Sequence, residues 1–237
     1  MGQKKLLRFE AIGNFANVLQ YPEGMQGKWK DFFRNENPIT LELACGKGEY
    51  TIGMAAIYPE RNFIGVDLKG NRIYAGALQG LEKNIQNAAF LRIHIDKIDG
   101  YFQPAEVSEI WITFPDPQLR TSRAKKRLTH PRYLRLYQKI LKPGGFIHLK
   151  TDSPALFYFT KLVADLYNLH IWDSSEDIYA RDENAPEIYI KTHYEKLDIA
   201  ASNKIFYIKL SLPDERIPVM DLKFQQLLKQ IENTEQF

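Results

Sequence analysis

The 237 residues predict an α/β protein, a mostly parallel sheet with helices on both faces. Three observations carry this. Short apolar runs alternate with stretches of helical spacing. Glycine and proline punctuate the joints between them. Polar residues, several of them aspartates, recur where the apolar runs end: Ala44-Cys45-Gly46, Asp67, Asp96, Asp116 and Asp152. In such sheets ligands bind at the carboxyl ends of the strands, near the point where strand order switches.

The elements follow in order. Ile39 to Cys45 (ITLELAC) reads as a strand and EYTIGMAAIY after it as a helix. Asn62 to Leu68 is a second strand. NRIYAGALQGLEKN has helical spacing, with Gly76 and Gly80 as positions that permit close packing. Ala89 to Ile95 is a third strand, and Glu109 to Phe114 a fourth. PRYLRLYQKIL is a helix with Pro131 in its first turn, ended by KPGG. Phe146 to Thr151 is a fifth strand, and PALFYFTKLVADLY another helix. IYIKTHYEKLDIAASNKIFYIKL (188–210) supplies one or two more strands. There is no internal repeat and no low-complexity linker. A single domain is expected, with an N-terminal extension over 1–38, a catalytic core over 39–211 and a C-terminal extension over 212–237 that ends in a helix.

Composition narrows the function classes. A net charge of +3 is a weak bias, so polyanion binding must come from local clustering. Cys45 is the one cysteine, which rules out an intrachain disulfide and suits a reducing compartment. The start lacks the apolar stretch of a secretory signal, and no apolar run is long enough to cross a bilayer. A cytoplasmic protein without membrane contact is expected. His94, His130, His148, His170 and His193 are scattered without ligand spacing, so no metal is expected.

LELACGKGEY joins the first strand to the first helix. Gly46 and Gly48 let the backbone turn tightly and approach a ligand. Asp67 ends the next strand about twenty residues on, where an acid suits the two hydroxyls of a ribose. A dinucleotide fingerprint wants a third small residue at Thr51, and Glu49 would face the pyrophosphate at the helix start. S-adenosylmethionine has no phosphate and carries a cationic sulfonium and amine. Glu42 is a candidate acceptor for that amine, so the sequence favours adenosylmethionine. A plain structural turn is the competing reading. Asp96 falls where an adenine amino group would lie, although a surface turn also accounts for it.

ITFPDPQLRTSRAKKRL (112–128) follows. Two prolines fix the backbone around Asp116. Seven cations fall between Arg120 and Arg135, with few acids near them. Such clusters usually form a solvated face. Here, with Lys4, Lys5, Arg8, Lys28, Lys30 and Arg34, they are expected to line the site mouth and hold a phosphate backbone. Nothing matches a helix-turn-helix or zinc finger, and a shaped RNA presenting an exposed base fits better.

ELACGKGEY, FIGVDLKGNRI, ITFPDPQLRTSRAKKRLTHPRYL, LKPGGFIHLKTD and THYEK occur in this order over about Ile39 to Leu210. Together they resemble the bacterial tRNA (guanine-N7-)-methyltransferase family. The glycine loop is shared by many methyltransferases, whereas the FPDP element with its basic tail and the distant T-x-x-E are specific. The resemblance implies a Rossmann-like class I methyltransferase fold with a seven-stranded sheet. It implies methyl transfer from S-adenosylmethionine to N7 of a variable-loop guanine in tRNA, by a monomer or homodimer. Carried over by residue, it places Glu42, Gly46, Gly48, Asp67, Asp96 and Asp116 at the cofactor. Asp116 is also the catalytic position, and Arg120, Asp152, Thr192 and Glu195 contact the substrate. The chain departs from the family at Ala44 for a loop glycine, Lys97 for a small residue, Gln118 for a tryptophan and Arg120 for a lysine. The glycine usual after T-x-x-E is not evident.

Overall fold

The computed structural model describes residues 2–193, 195 and 204–234. One eight-stranded sheet organises them. The strands are β1 (Val18–Gln20), β2 (Ile39–Leu43), β3 (Asn62–Asp67), β4 (Ala88–Arg92), β5 (Val107–Thr113), β6 (Leu141–Thr151), β7 (His170–Ser175) and β8 (Phe206–Ser211). Their spatial order is β1-β4-β3-β2-β5-β6-β8-β7. All neighbours are parallel except the β6–β8 and β7–β8 pairs. Order reverses between β2 and β5, so the crevice at their carboxyl ends is the switch point.

The helices are α1 (Gly2–Ala11), α2 (Trp29–Phe33), α3 (Glu49–Ile57), α4 (Gly70–Glu82), α5 (Pro131–Ile140), α6 (Pro154–Leu166) and α7 (Asp221–Thr234). Alternation along the central strands sorts the core into two layers. Leu41, Leu43, Ile110, Ile112, Ile147 and Leu149 face α2, α5, α6 and α7. Trp111 and Tyr207 face the opposite layer, with Tyr50, Ile52, Ile73 and Ala77 of α3 and α4. Prolines start α5 and α6, where the missing N–H is no loss, and His130 and Ser153 cap them.

Three features differ from the sequence reading. The sheet has eight strands rather than seven, because the N-terminal extension adds β1 alongside β4. That extension also holds α1 and α2, for which the sequence analysis assigns no element. The 188–210 stretch contains β8, and its partner β7 comes instead from HIWDSS, upstream. Residues 194 and 196–203 of that stretch lie outside the described residues.

Candidate active site

The β2–α3 loop turns through three left-handed residues: Ala44 (φ 58°), Gly46 (φ 57°) and Gly48 (φ 73°). A glycine is cheaper than alanine at such a φ, which accounts for the family's preference at 44. Gly48 has a further reason. A Cβ there would sit 2.4 Å from the Phe90 ring and 3.3 Å from the Gly76 Cα. The loop therefore rests directly on α4, and Gly76 is the matching gap in that helix.

Asp67, at the end of β3, braces the loop. One carboxylate oxygen accepts from the Gly46 N–H (3.0 Å) and the other from the Lys69 N–H (2.8 Å). Beside it a cleft of about 240 Å³ is lined by Ala44, Leu68, Ile93, Ile95, Tyr133 and the exposed Asp96. The cleft joins apolar walls to two carboxylates.

Glu42 lies beneath the loop, 2 % exposed. Oε2 accepts from the Thr51 N–H and hydroxyl, and Oε1 from the Thr113 hydroxyl at 2.6 Å. It thus caps the first turn of α3 and ties β2 to β5. Burial pushes its carboxyl up to about 7, against the pull of the threonine hydrogen bonds. The folded chain therefore binds a proton here that the unfolded chain has released between about pH 4.5 and 7. This contribution to stability is full below about pH 4.5 and is lost as pH rises through about 7. Glu42→Gln can place its oxygen toward Thr51 and its amide toward Thr113. We expect thermal unfolding of this variant to lose that pH slope, on the order of 3 kcal/mol across the window, with little loss of stability at pH 7. An unchanged slope would remove Glu42 as its source.

Cys45 is buried beside these acids. Burial, with Glu42 and Asp67 near it, pushes the thiol well above its ordinary range, so it is not a nucleophile.

The FPDP loop leaves β5 through Phe114 (φ 46°), whose N–H donates to the Lys150 carbonyl of β6 at 2.8 Å. Asp116 is exposed, and one of its oxygens accepts from the Gln118 N–H at 3.0 Å. Gln118 is itself left-handed (φ 47°). Arg120, Arg123, Lys125 and Lys126 are exposed on and beside the short 3₁₀ turn Thr121–Lys126.

Arg127 corrects the reading of the basic run, because it is 7 % exposed and turns inward. Its guanidinium donates to the carbonyls of Pro117 (3.1 Å), Gln118 (3.1 Å) and Leu119 (3.2 Å) and lies 4.4 Å over the Phe159 ring. It stiffens the loop where the family's tryptophan is missing. Arg135 pairs with Asp221 of α7 at 2.6 Å. The N-terminal cations divide too. Phe9 of α1 packs against Gly70, which starts α4 just after Asp67, and the Arg8 guanidinium lies over the Tyr74 ring of α4 at 5.5 Å. Lys30 lies beside Ile39, Asn62 and Ser108 at the amino end of the sheet, and its helix keeps Lys28 and Arg34 there. Those three do not line the site.

Asp152, partly buried, follows β6 immediately. The chain then brings a distant segment to the same strand end. Thr192 is buried, and its hydroxyl accepts from the Glu195 N–H at 3.2 Å. The Glu195 side chain, 4 % exposed, turns inward to Lys150 Nζ at 3.2 Å and accepts from the Tyr179 hydroxyl. Its carboxylate is therefore engaged by the protein rather than held out for a base. Lys150, 0 % exposed, was not singled out from the sequence. It sits among apolar strand residues and gives no local signal.

Among the described residues, no cluster of His, Cys, Asp and Glu is arranged to hold a metal ion. His148 stacks on Trp111 (4.0 Å, 9°) and bonds the Tyr207 hydroxyl at 2.7 Å, as a core residue does. No helix among them is long and apolar enough to cross a membrane.

A family model described as a putative methyltransferase matches residues 36–208. A tRNA (guanine-N(7)-)-methyltransferase of Bacteroides thetaiotaomicron is 42 % identical over 226 residues, covering 92 % of this chain and 89 % of the relative. Relatives of the same description in Porphyromonas gingivalis and Christiangramia forsetii are 45 % and 41 % identical. They cover 84 % and 90 % of this chain, and 85 % and 100 % of their own lengths. Among solved structures, the 16S rRNA methyltransferase KamB superposes with a TM-score of 0.61 at 12 % identity, covering 83 % of this chain and 99 % of its own. A 30S ribosomal A1408 methyltransferase from an uncultured bacterium gives 0.58 at 15 %, covering 81 % and 96 %. At such identities these two establish the fold.

Proposed function

The chain belongs to the tRNA (guanine-N(7)-)-methyltransferase family, and from that premise we propose that it methylates N7 of a variable-loop guanine in tRNA, with S-adenosylmethionine as donor. The observation that carries this reading is one juxtaposition. At the switch point, an acid-lined loop and cleft stand beside a rigid FPDP loop whose carboxylate leads straight into an exposed basic turn.

The donor set suits the cofactor. Asp67 at the end of β3 is placed for a ribose diol, the walls of Leu68, Ile93 and Ile95 for an adenine ring, and Asp96 for its amino group. Asp67 and Glu49, the acid in the first turn of α3, keep the loop acidic, which favours a sulfonium and an ammonium over a pyrophosphate. Gly46 and Gly48 give the loop its close approach. Glu42 itself acts from below, holding the loop and α3 in place. When bound, S-adenosylmethionine supplies an electrophilic methyl group.

The chain's own part is to hold and to shield charge. Guanine N7 carries a lone pair and no proton, so no general base is needed. Alignment of the two reactants and electrostatics must supply the rate. As N7 takes the methyl, the base becomes cationic, and Asp116, fixed between two prolines, offsets that growing charge. Asp152 stands at the neighbouring strand end and shares this task or holds the amino edge of the base. Arg120, Arg123, Lys125 and Lys126 hold tRNA phosphates. Thr192 and Glu195 close the site from the other side as a braced segment. The domain is proposed to run as one unit with its N- and C-terminal extensions.

Two experiments test the substrate class. Labelled methyl from S-adenosylmethionine should enter unmodified tRNA and be recovered as 7-methylguanosine; label entering only protein or small molecules would refute the reading. Replacing Arg123, Lys125 and Lys126 together by alanine should lower tRNA affinity and reduce the slope of log K against log salt by roughly 2 to 3. The melting temperature should hold, because all three side chains are exposed. An unchanged salt slope would take the basic turn out of the RNA interface.

A further inference from the structure

Lys150 is fully buried at the carboxyl end of β6, two residues before Asp152. A lone ammonium in such a place is unfavourable unless its protons are satisfied. Here they are satisfied by one segment. The three protons of Nζ are shared among four acceptors within its reach: the carbonyls of Ile188 (2.7 Å) and Ile190 (3.2 Å), Glu195 Oε2 (3.2 Å) and the Tyr179 hydroxyl (2.9 Å). Tyr179 in turn donates to the other Glu195 oxygen. The Lys150 backbone carbonyl receives the N–H of Phe114, the first residue of the FPDP loop, and Lys150 Nζ lies 5.6 Å from the centre of the Phe114 ring.

Lys150 therefore joins two parts of the chain, far apart in sequence, at one strand end. Its main chain fixes the start of the loop that carries Asp116, and its side chain fixes the segment that carries Thr192 and Glu195. A hydrophobic residue would fill the space and keep the main-chain link to Phe114, but would set no register for the segment that carries Thr192 and Glu195. This explains why a buried charge is kept where apolar packing would be the simpler solution.

We propose that Lys150 is a positioning residue for methyl transfer, holding the Ile188–Glu195 segment in register with the FPDP loop so that the guanine is presented in line with the methyl donor. Tyr179 completes the same hub. The proposal rests on the reading of the site as one that methylates a guanine in tRNA. Misplacement of the reacting base costs rate more than affinity, since phosphate contacts dominate RNA binding.

The test is single-turnover methyl transfer with saturating tRNA and S-adenosylmethionine. It is run on wild type, Lys150→Met and Tyr179→Phe, with tRNA and cofactor dissociation constants measured separately. Lys150→Met should lower the rate constant by roughly 10- to 100-fold, and Tyr179→Phe by roughly fivefold. In both, the amplitude, which counts competent sites, should stay near that of wild type, and both dissociation constants within about threefold. If Lys150→Met does not fold, Tyr179→Phe decides alone. A reduced amplitude with an unchanged rate constant would make the hub purely structural and overturn the proposal. So would unchanged rate constants. If wild type itself places no methyl on tRNA guanine, the reading of the site fails, and this inference with it.

Discussion

Asp116→Asn should lower the single-turnover rate of methyl transfer to tRNA by about 100-fold or more, with tRNA and S-adenosylmethionine affinities within about threefold of wild type. The substitution is chosen because asparagine can keep the turn. Its Oδ1 can still accept from the Gln118 N–H, as the carboxylate does at 3.0 Å, and the flanking Pro115 and Pro117 are untouched. What is lost is the negative charge. If Asp116 offsets the positive charge that develops on the base, the loss appears in the chemical step and not in ground-state binding. Asp116→Ala removes charge and turn together and should be slower still. Near-normal transfer by Asp116→Asn, with transfer lost in Asp116→Ala, would limit the residue to shaping the loop. The measurement is a rapid-quench time course with labelled cofactor.

Arg127→Met should be the most damaging change in the basic run, and for a reason opposite to that of its neighbours. The methionine keeps much of the apolar contact with Phe159 but cannot donate to the carbonyls of Pro117, Gln118 and Leu119. Hydrogen bonds from a charged donor contribute about 1.5–3 kcal/mol each, and losses within one network are not additive. We expect a stability loss of about 2–4 kcal/mol by denaturant titration. Activity should fall further than the folded fraction does, because the loop that carries Asp116 is released. Intact stability with weakened tRNA binding would instead make Arg127 a phosphate contact like Lys125 and Lys126.

The contrast between Arg127 and Lys125 shows where sequence reading reaches its limit. In TSRAKKRL the cations look alike. Which of them turns inward depends on Phe159 and on three carbonyls folded back by the FPDP turn, a tertiary arrangement without local pattern. Lys150 is hidden for a similar reason. In FIHLKT it occupies an alternate position that could as well face solvent, and its partners come from Tyr179 to Glu195, far along the chain. The β2, β3 and β5 strands are legible, because buried runs such as Ile39–Leu43 give way within three residues to glycine or aspartate. The missed elements carry weak patterns. β1 has three residues, α1 is largely polar and exposed, and β7 alternates between half-buried and exposed along HIWDSS. The glycine loop was legible as a turn, yet Gly48 is required there by Phe90 and Gly76 as well as by any ligand.

Glu42 and Glu195 share one lesson. Motif matching assigns both to ligands, and in the structure both carboxylates are engaged by protein groups: Thr51 and Thr113 for the first, Lys150 and Tyr179 for the second. Each holds a site element in place. Asp116 is an exposed carboxylate on the rigid loop, which is why we propose that the chemical step depends on it.

The most direct test is to map the methyl group within the tRNA. N7 methylation leaves the imidazole ring of guanine open to reduction, after which aniline cleaves the strand at that nucleotide. Unmodified tRNA treated with the enzyme and S-adenosylmethionine should be cut at one guanine in the variable loop, and the cut should be nearly absent with Asp116→Asn. Methylated tRNA that resists this cleavage would carry its methyl on another atom and would contradict the assignment of guanine N7 as the acceptor.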